Sequence, residues 1–166
     1  DDVESRGLGD VYKRQYLLRS LQITGRMEHL IQEMLSISRM ETGAVSKQEA
    51  VNLSALVERQ LDYSRDLMEQ RAQRLLPRIT PGIPVNGDAS LLEKAVGNLL
   101  SNAILYSPSG AEIRVRCAVR EGSPTVLVEN TGVQISEEAL PRLFEAFYSE
   151  EGSRNRSTGG SGLGLY

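Results

Sequence analysis

The stretch Gly159-Gly160-Ser161-Gly162-Leu163-Gly164-Leu165 is a glycine-rich turn that runs into a helix-like start. Glycines at that density remove side chains, so backbone N–H groups can close around phosphate oxygens, and a helix opening after the turn adds its positive dipole end. Alone, the run reads rather as a flexible Gly/Ser linker or a frayed tail. Two upstream stretches change that reading: Asn98-Leu99-Leu100-Ser101-Asn102-Ala103 and Glu129-Asn130-Thr131-Gly132. Asn98 and Asn102 are one helical turn apart. Both amides then project from the inner face of one helix, where their oxygens can serve a hard, oxygen-seeking Mg²⁺ that keeps part of its water shell. Without the other motifs, two such asparagines would be read as local capping or surface residues.

In this order and spacing the motifs resemble the ATP-binding domain of bacterial sensor histidine kinases. Asn98 to Ser107 corresponds to that family's N box, Asn130 to Ile135 to its G1 box, and Gly160 to Leu165 to its G2 box. Leu143-Phe144-Glu145-Ala146-Phe147-Tyr148 corresponds to its F box, and the match runs from about Leu17 to the end. No G-K-[ST] follows the glycine turn, so it is not of the Walker type; it resembles the ATP-lid hinge shared with gyrase, mismatch-repair ATPases and a heat-shock chaperone.

The resemblance implies transfer of the ATP γ-phosphoryl group to a histidine and then to an aspartate on the receiver domain of a response regulator, with ATP and Mg²⁺ as cofactors. It makes Asn102 the direct Mg²⁺ ligand, Asn98 a phosphate or water contact, and Tyr106 a neighbour of the phosphates. It assigns the adenine-contacting loop to Asn130 and Gly132, and the phosphate-facing hinge to Gly160, Gly162, Leu163 and Gly164. Several positions depart from the family pattern. Asn130 stands where the family usually has Asp, so it can accept the adenine amino hydrogen bond without charge assistance. Gln134 replaces the second G1 glycine, Leu105 a commonly basic N-box residue, and Ser149 an arginine often found after the F box. Arg154 and Arg156 are candidates to take over phosphate contacts, or are solvated loop charges. A second reading is a catalytically inactive nucleotide-binding or interaction module of the same superfamily, either a degenerate kinase or an anti-sigma-like relative.

These motifs need a scaffold, and the chain supplies one in pieces. Ser5 to Gln15 resembles one reading frame of a transposase-based sequencing-library adapter, so residues 1–15 are expected to lie outside the fold and to pack against nothing. From Tyr16 to about Glu41 a long helix is expected. Ile23, Met27, Leu30, Met34 and Ile37 form a stripe that Leu17, Leu21, Ile31 and Leu35 widen, and such a stripe needs a partner. The resemblance makes residues 16–43 the second helix of a dimerisation hairpin, hence a homodimer. His29 is followed by Leu30-Ile31-Gln32 and sits among polar helical neighbours, so it reads as solvent-exposed. The phosphoacceptor histidine is then expected on the first hairpin helix, upstream of this sequence, and the chain alone is expected to lack autokinase activity.

Residues 44–50 read as a linker and 51–166 as an incomplete catalytic domain. Within it, Val51 to Ser54 reads as a short strand, Ala55 to about Arg71 as a capped helix with Leu56, Leu61, Leu67 and Met68 inward, and Leu75 to Ile79 and Val85 as strand candidates. Asp88 to Ser90 cap the N-box helix, Leu91 to about Leu105. Strands at Glu112–Val119 and Thr125–Glu129 flank the loop Glu121-Gly122-Ser123-Pro124. This order predicts an α+β fold, a two-layer α/β sandwich with a mixed sheet on one side. The sequence stops one residue past Leu165, so the helix that the glycine turn should open is expected to be missing, and ATP·Mg²⁺ is expected to bind weakly or not at all.

Composition suits a cytoplasmic globular fragment: 40% hydrophobic residues can supply a core and 25% charged residues a surface. A net charge of -3 offers no general attraction to nucleic acid, and Arg114, Arg116 and Arg120 read as the exposed face of a strand. The lone Cys117 cannot form an internal disulfide and reads as a buried strand residue. No run is long enough to span a membrane, so any membrane attachment of the sensor is expected upstream.

Overall fold

The computed structural model describes residues 13–21, 23–25, 27, 28, 30, 31, 34, 35, 38, 47–132, 134–145, 148 and 165. The chain forms two compact units, Asp1–Ala44 and Val45–Tyr166. In the first, the described residues from Lys13 to Ser38 are helical. This helix has already begun at Lys13, ahead of the expected Tyr16, because Lys, Arg and Gln are good helix formers and no breaker intervenes. Leu17, Leu21, Ile23, Met27, Ile31, Met34 and Leu35 are exposed on it, so the apolar stripe is uncovered. Residues 1–12 and His29 lie outside the described residues. Among the described residues no helix is long and apolar enough to cross a membrane.

The second unit begins with β1 (Glu49–Asn52), which runs directly into α1 (Leu53–Gln70). The helix starts two residues before the expected Ala55 because Asn52 is its cap: the Asn52 side chain accepts from the Ala55 N–H at 3.1 Å. Ser54 is buried and has another task. Its hydroxyl donates to the Thr80 carbonyl at 2.6 Å and accepts from the Ile83 N–H at 3.0 Å, fastening the helix start to the Pro81-Gly82 turn. Leu56, Leu61 and Met68 face inward as expected, whereas Leu67 is exposed, although it lies within about 20° of buried Leu56 on the helical wheel.

Strands β2 (Arg74–Ile79), β4 (Glu112–Arg120) and β5 (Ser123–Asn130) form a mixed sheet, parallel between β2 and β4 and antiparallel between β4 and β5. A separate pair joins β1 to β3 (Pro84–Gly87), with Val51 opposite Val85. Alternation along β4 decides the layers. Ile113, Val115 and Cys117 are fully buried beneath α1 and α2 (Ala89–Leu105), with Leu56, Val57, Leu100 and Ile104. Glu112, Arg114 and Arg116 take the other face, where Glu112 pairs with Arg114 at 2.7 Å and Arg116 with Glu129 at 3.5 Å. Burial pushes the Cys117 thiol above its ordinary pKa.

The β4–β5 connection is tighter than the sequence suggests. Arg120 pairs with Ser123, leaving a two-residue turn in which Glu121 and Gly122 both take positive φ, 49° and 79°. That is the backbone signature of a hairpin turn whose twist matches its strands, so Ser123 and Pro124 fall inside β5 rather than in a loop.

The α2 N-terminus is held by Asp88. Its carboxylate accepts from the Ser90 and Leu91 N–H groups at 2.9 and 3.2 Å and from the Lys47 N–H at 3.0 Å. These bonds, that from Leu91 foremost, hold its pKa below the ordinary carboxylate value. A depressed folded value means the stabilisation is complete above the unfolded value near ~4 and is lost as pH falls through the folded one. Melting temperature should therefore drop on acidification in wild type, and this drop should be smaller in Asp88→Asn, which keeps an acceptor oxygen but no titration. A scan of melting temperature from neutral to acidic pH checks this, and superimposable acid limbs would refute it.

Candidate functional site

The site is assembled where α2 ends and β5 ends. On α2 the buried stripe is Val96, Leu100, Ala103 and Ile104. At about 100° per residue, Asn98 and Asn102 fall on the side turned away from that stripe. This departs from the inner-face reading, and the reason is geometric: the stripe facing the sheet is filled by apolar side chains, and the asparagines occupy the opposite flank. Both are half-buried. Among the described residues no hydrogen bond reaches either side-chain amide. Two parallel amides one turn apart, held by a rigid helix and committed to no protein group, remain available to a ligand.

Tyr106 is the C-terminal cap residue of α2, half-buried, and its N–H donates to the Asn102 carbonyl at 3.0 Å. Ser107 and Pro108 follow. Across from them β5 finishes at Asn130, paired with Ile113, and the chain continues through Thr131 to Gly132. The Thr131 N–H donates to the Glu112 carbonyl and the Glu112 N–H to the Thr131 hydroxyl, each at 3.2 Å, which fixes the strand end. Gly132 has φ +108° and lies directly against Pro108: a Cβ there would sit 2.6 Å from the proline Cδ and 2.7 Å from Cγ. Glycine is thus required twice over, by backbone sign and by space. The contact joins the two loops, so Asn102 and Tyr106 on one side and Asn130 on the other border a common region. The Asn130 side chain itself is exposed.

Beyond the G1 loop, Ala139 is buried, and a 3₁₀ turn at Leu140–Arg142 leads into the F-box stretch. Phe144 is 67% exposed, so this part of the F box does not fill the core. Arg142 pairs with Glu145 at 3.1 Å and stacks over the Tyr148 ring at 4.3 Å. Arg154, Arg156, Gly160, Gly162, Leu163 and Gly164 lie outside the described residues.

Two residues that matter here were missed in the sequence. Pro108 was visible as a proline just after a predicted helix, a common stop signal, but nothing local said that a glycine would rest on its ring. Thr131 lies within the quoted G1 motif, but nothing in the sequence marked its own two bonds to Glu112. The donor set also bears on a cation: among the described residues no three His, Cys, Asp or Glu side chains gather into a metal cage. A divalent ion at Asn102 would therefore take most of its oxygens from phosphate and water, which is the usual habit of Mg²⁺.

Known proteins resemble this chain in sequence and in fold. A family model described as histidine kinase-, DNA gyrase B-, and HSP90-like ATPase matches residues 87–166. Sensor histidine kinase CusS of Escherichia coli (strain K12) is 36% identical over 150 residues, which is 90% of this chain and 31% of the relative's own length. The chain thus spans less than half of the curated relatives that it matches. Mycobacterial sensor histidine kinase MprB superposes with a TM-score of 0.59 at 31% identity, over 72% of this chain and 74% of that one. A solved complex of histidine kinase ThkA with response regulator protein TrrA shares the fold, with a TM-score of 0.66 at 20% identity over 76% of this chain and 38% of that one.

Proposed function

This chain belongs to the sensor histidine kinases, and on that premise we propose that its second unit holds ATP for a phosphoryl transfer carried out by the longer protein of which it is part. The γ-phosphoryl group would pass to a histidine of that protein and then to an aspartate of a response regulator. The complex of ThkA with TrrA is the arrangement this proposal follows. The exposed apolar stripe from Leu17 to Leu35 supports homodimerisation through that helix. The cytoplasmic side of a membrane-anchored sensor is the place we assign to it.

The observation that carries the proposal is the Gly132–Pro108 contact, which brings the end of the N-box helix and the G1 loop together. In phosphoryl transfer the protein contributes positioning and charge stabilisation more than covalent chemistry. Asn130 would accept from the adenine amino group and so set the orientation of the base. Asn102, one turn before the helix end, would present its oxygen toward the phosphates, with Asn98 contacting a phosphate or a bound water. A Mg²⁺ at Asn102 would neutralise phosphate oxygens. Asn130 in place of the family's usual aspartate, together with the departures at Gln134, Leu105 and Ser149, favours the second reading, a nucleotide-binding module without kinase activity.

The test is chemical-shift mapping on the 166-residue chain with millimolar ATP and Mg²⁺, a regime in which weak binding still registers. Expected are shifts concentrated at Asn98, Asn102, Thr131 and Gly132. Shifts confined to the outer sheet face around Arg114 and Arg116, or none, would overturn the site assignment.

A further inference from the structure

Helix α1 ends in a tight reversal. The Ala72 N–H donates to the Glu69 carbonyl and the Gln73 N–H to the Met68 carbonyl, both at 2.9 Å, with Ala72 at φ 52°. This is the paired-bond termination that usually carries glycine at the left-handed position. Its effect is to aim the Gln73 side chain inward, where the residue is 7% exposed.

The carboxamide meets the end of α2 there. Its Nε2 donates to the Ile104 carbonyl at 2.9 Å, the Ser107 carbonyl at 3.1 Å and the Pro108 carbonyl at 3.4 Å. Arg71 reaches the same place, its Nη2 donating to the Leu105 and Ser107 carbonyls at 3.3 Å each. The Ser107 hydroxyl takes the Ala103 carbonyl at 2.5 Å. A helix leaves its last carbonyls without partners, and here those of residues 103, 104 and 105 are all met by side chains, two of them from the end of α1. The Gln73 Oε1 is buried with no partner among the described residues. An orphaned acceptor is disfavoured, so the amide's value at this position lies in its donor end.

We propose that Gln73, assisted by Arg71, is a positioning residue for the nucleotide site. It acts by holding the α2 terminus and the Ser107–Pro108 turn in the register that seats Pro108 on Gly132. The nucleotide part of this proposal rests on the function argued above; the structural part does not. Without the Gln73 donor the last turn of α2 loosens, Tyr106 and Pro108 shift, and the spacing between Asn102 and Asn130 is no longer fixed.

The experiment is residue-resolved amide hydrogen exchange on the full chain, comparing wild type with Gln73→Met, which keeps length and apolar volume but has no donor. Arg71→Met serves as a milder second variant in case the first does not fold. Exchange at Tyr106, Ala111 and Thr131 should accelerate by about tenfold, the scale of one lost buried hydrogen bond. Leu53, bonded to the Ile83 carbonyl on the far side of α1, should keep its wild-type rate. ATP·Mg²⁺ affinity should fall by a similar factor in a variant that remains folded, and Gln73→Glu, an isostere with an acceptor facing carbonyls, should lose more than Gln73→Met. Unchanged exchange at those three amides, or acceleration spread evenly over the whole chain, would overturn the proposal. If wild type itself shows no response to nucleotide, the reading of the site falls, and the exchange pattern still decides whether Gln73 positions the turn.

Discussion

Gly132→Ala should destabilise the second unit by about 3 kcal/mol and abolish nucleotide-induced shifts. Two effects combine in that figure: a non-glycine residue at φ +108° is strained by roughly 1–3 kcal/mol, and a methyl forced against a rigid ring adds overpacking of about the same size. Pro108 cannot rotate out of the way, since its ring is closed on its own backbone, so the loop must move instead. Urea unfolding with a constant slope gives the difference directly. The double variant Gly132→Ala with Pro108→Ala separates the two effects, because removing the ring relieves the clash and leaves the backbone strain. A Gly132→Ala protein as stable as wild type, with its nucleotide response intact, would mean that the contact does not hold the site together.

Asn102→Ala should weaken ATP·Mg²⁺ binding at least tenfold while leaving the melting temperature within error of wild type. The asymmetry follows from the geometry: no protein group among the described residues bonds to the Asn102 amide, so its removal orphans nothing in the free protein. Hydrogen bonds to charged groups contribute about 1.5–3 kcal/mol, and phosphate with its cation would be such a group. Asn130→Ala should weaken binding less, as a neutral acceptor is lost. Asn130→Asp should instead tighten binding, because a carboxylate accepts the adenine amino proton with charge assistance. Calorimetric titration of the three variants decides the matter. Equal affinities in wild type and Asn102→Ala would remove that residue from the site, and weaker binding by Asn130→Asp would remove the adenine assignment.

Much of this fold was legible because its elements follow simple periods. The alternation of Ile113, Val115 and Cys117 marks β4 as a strand covered on one face, and those three residues are its buried set. Errors arose where two residues could serve one role or where the answer lay far along the chain. Asn52 and Ser54 are both competent helix caps, and the sequence does not say that the serine is needed by Thr80 and Ile83. Leu67 shares the direction of buried Leu56, and nothing in the local pattern marks it as exposed. The asparagine pair stood out by its spacing only together with the other motifs, and the direction it faces could not be read, since that depends on which flank of α2 the sheet covers. Gln73 was invisible: a glutamine before a strand is ordinary, and only the approach of the α2 terminus gives it carbonyls to bind.

The two-residue turn at Glu121-Gly122 has a reach that its size hides. Strand β5 is placed by counting from that turn, from Ser123 opposite Arg120 to Asn130 opposite Ile113 at the other end. One residue inserted or deleted there would slide the strand by ~3.4 Å and turn each of its side chains to the opposite face of the sheet. Val126 and Val128 would leave the core, Thr131 would lose its two bonds to Glu112, and the asparagine would arrive at the site one step early or late. The turn lies at the opposite end of β5 from Asn130, yet its length sets where the Asn130–Gly132 stretch begins.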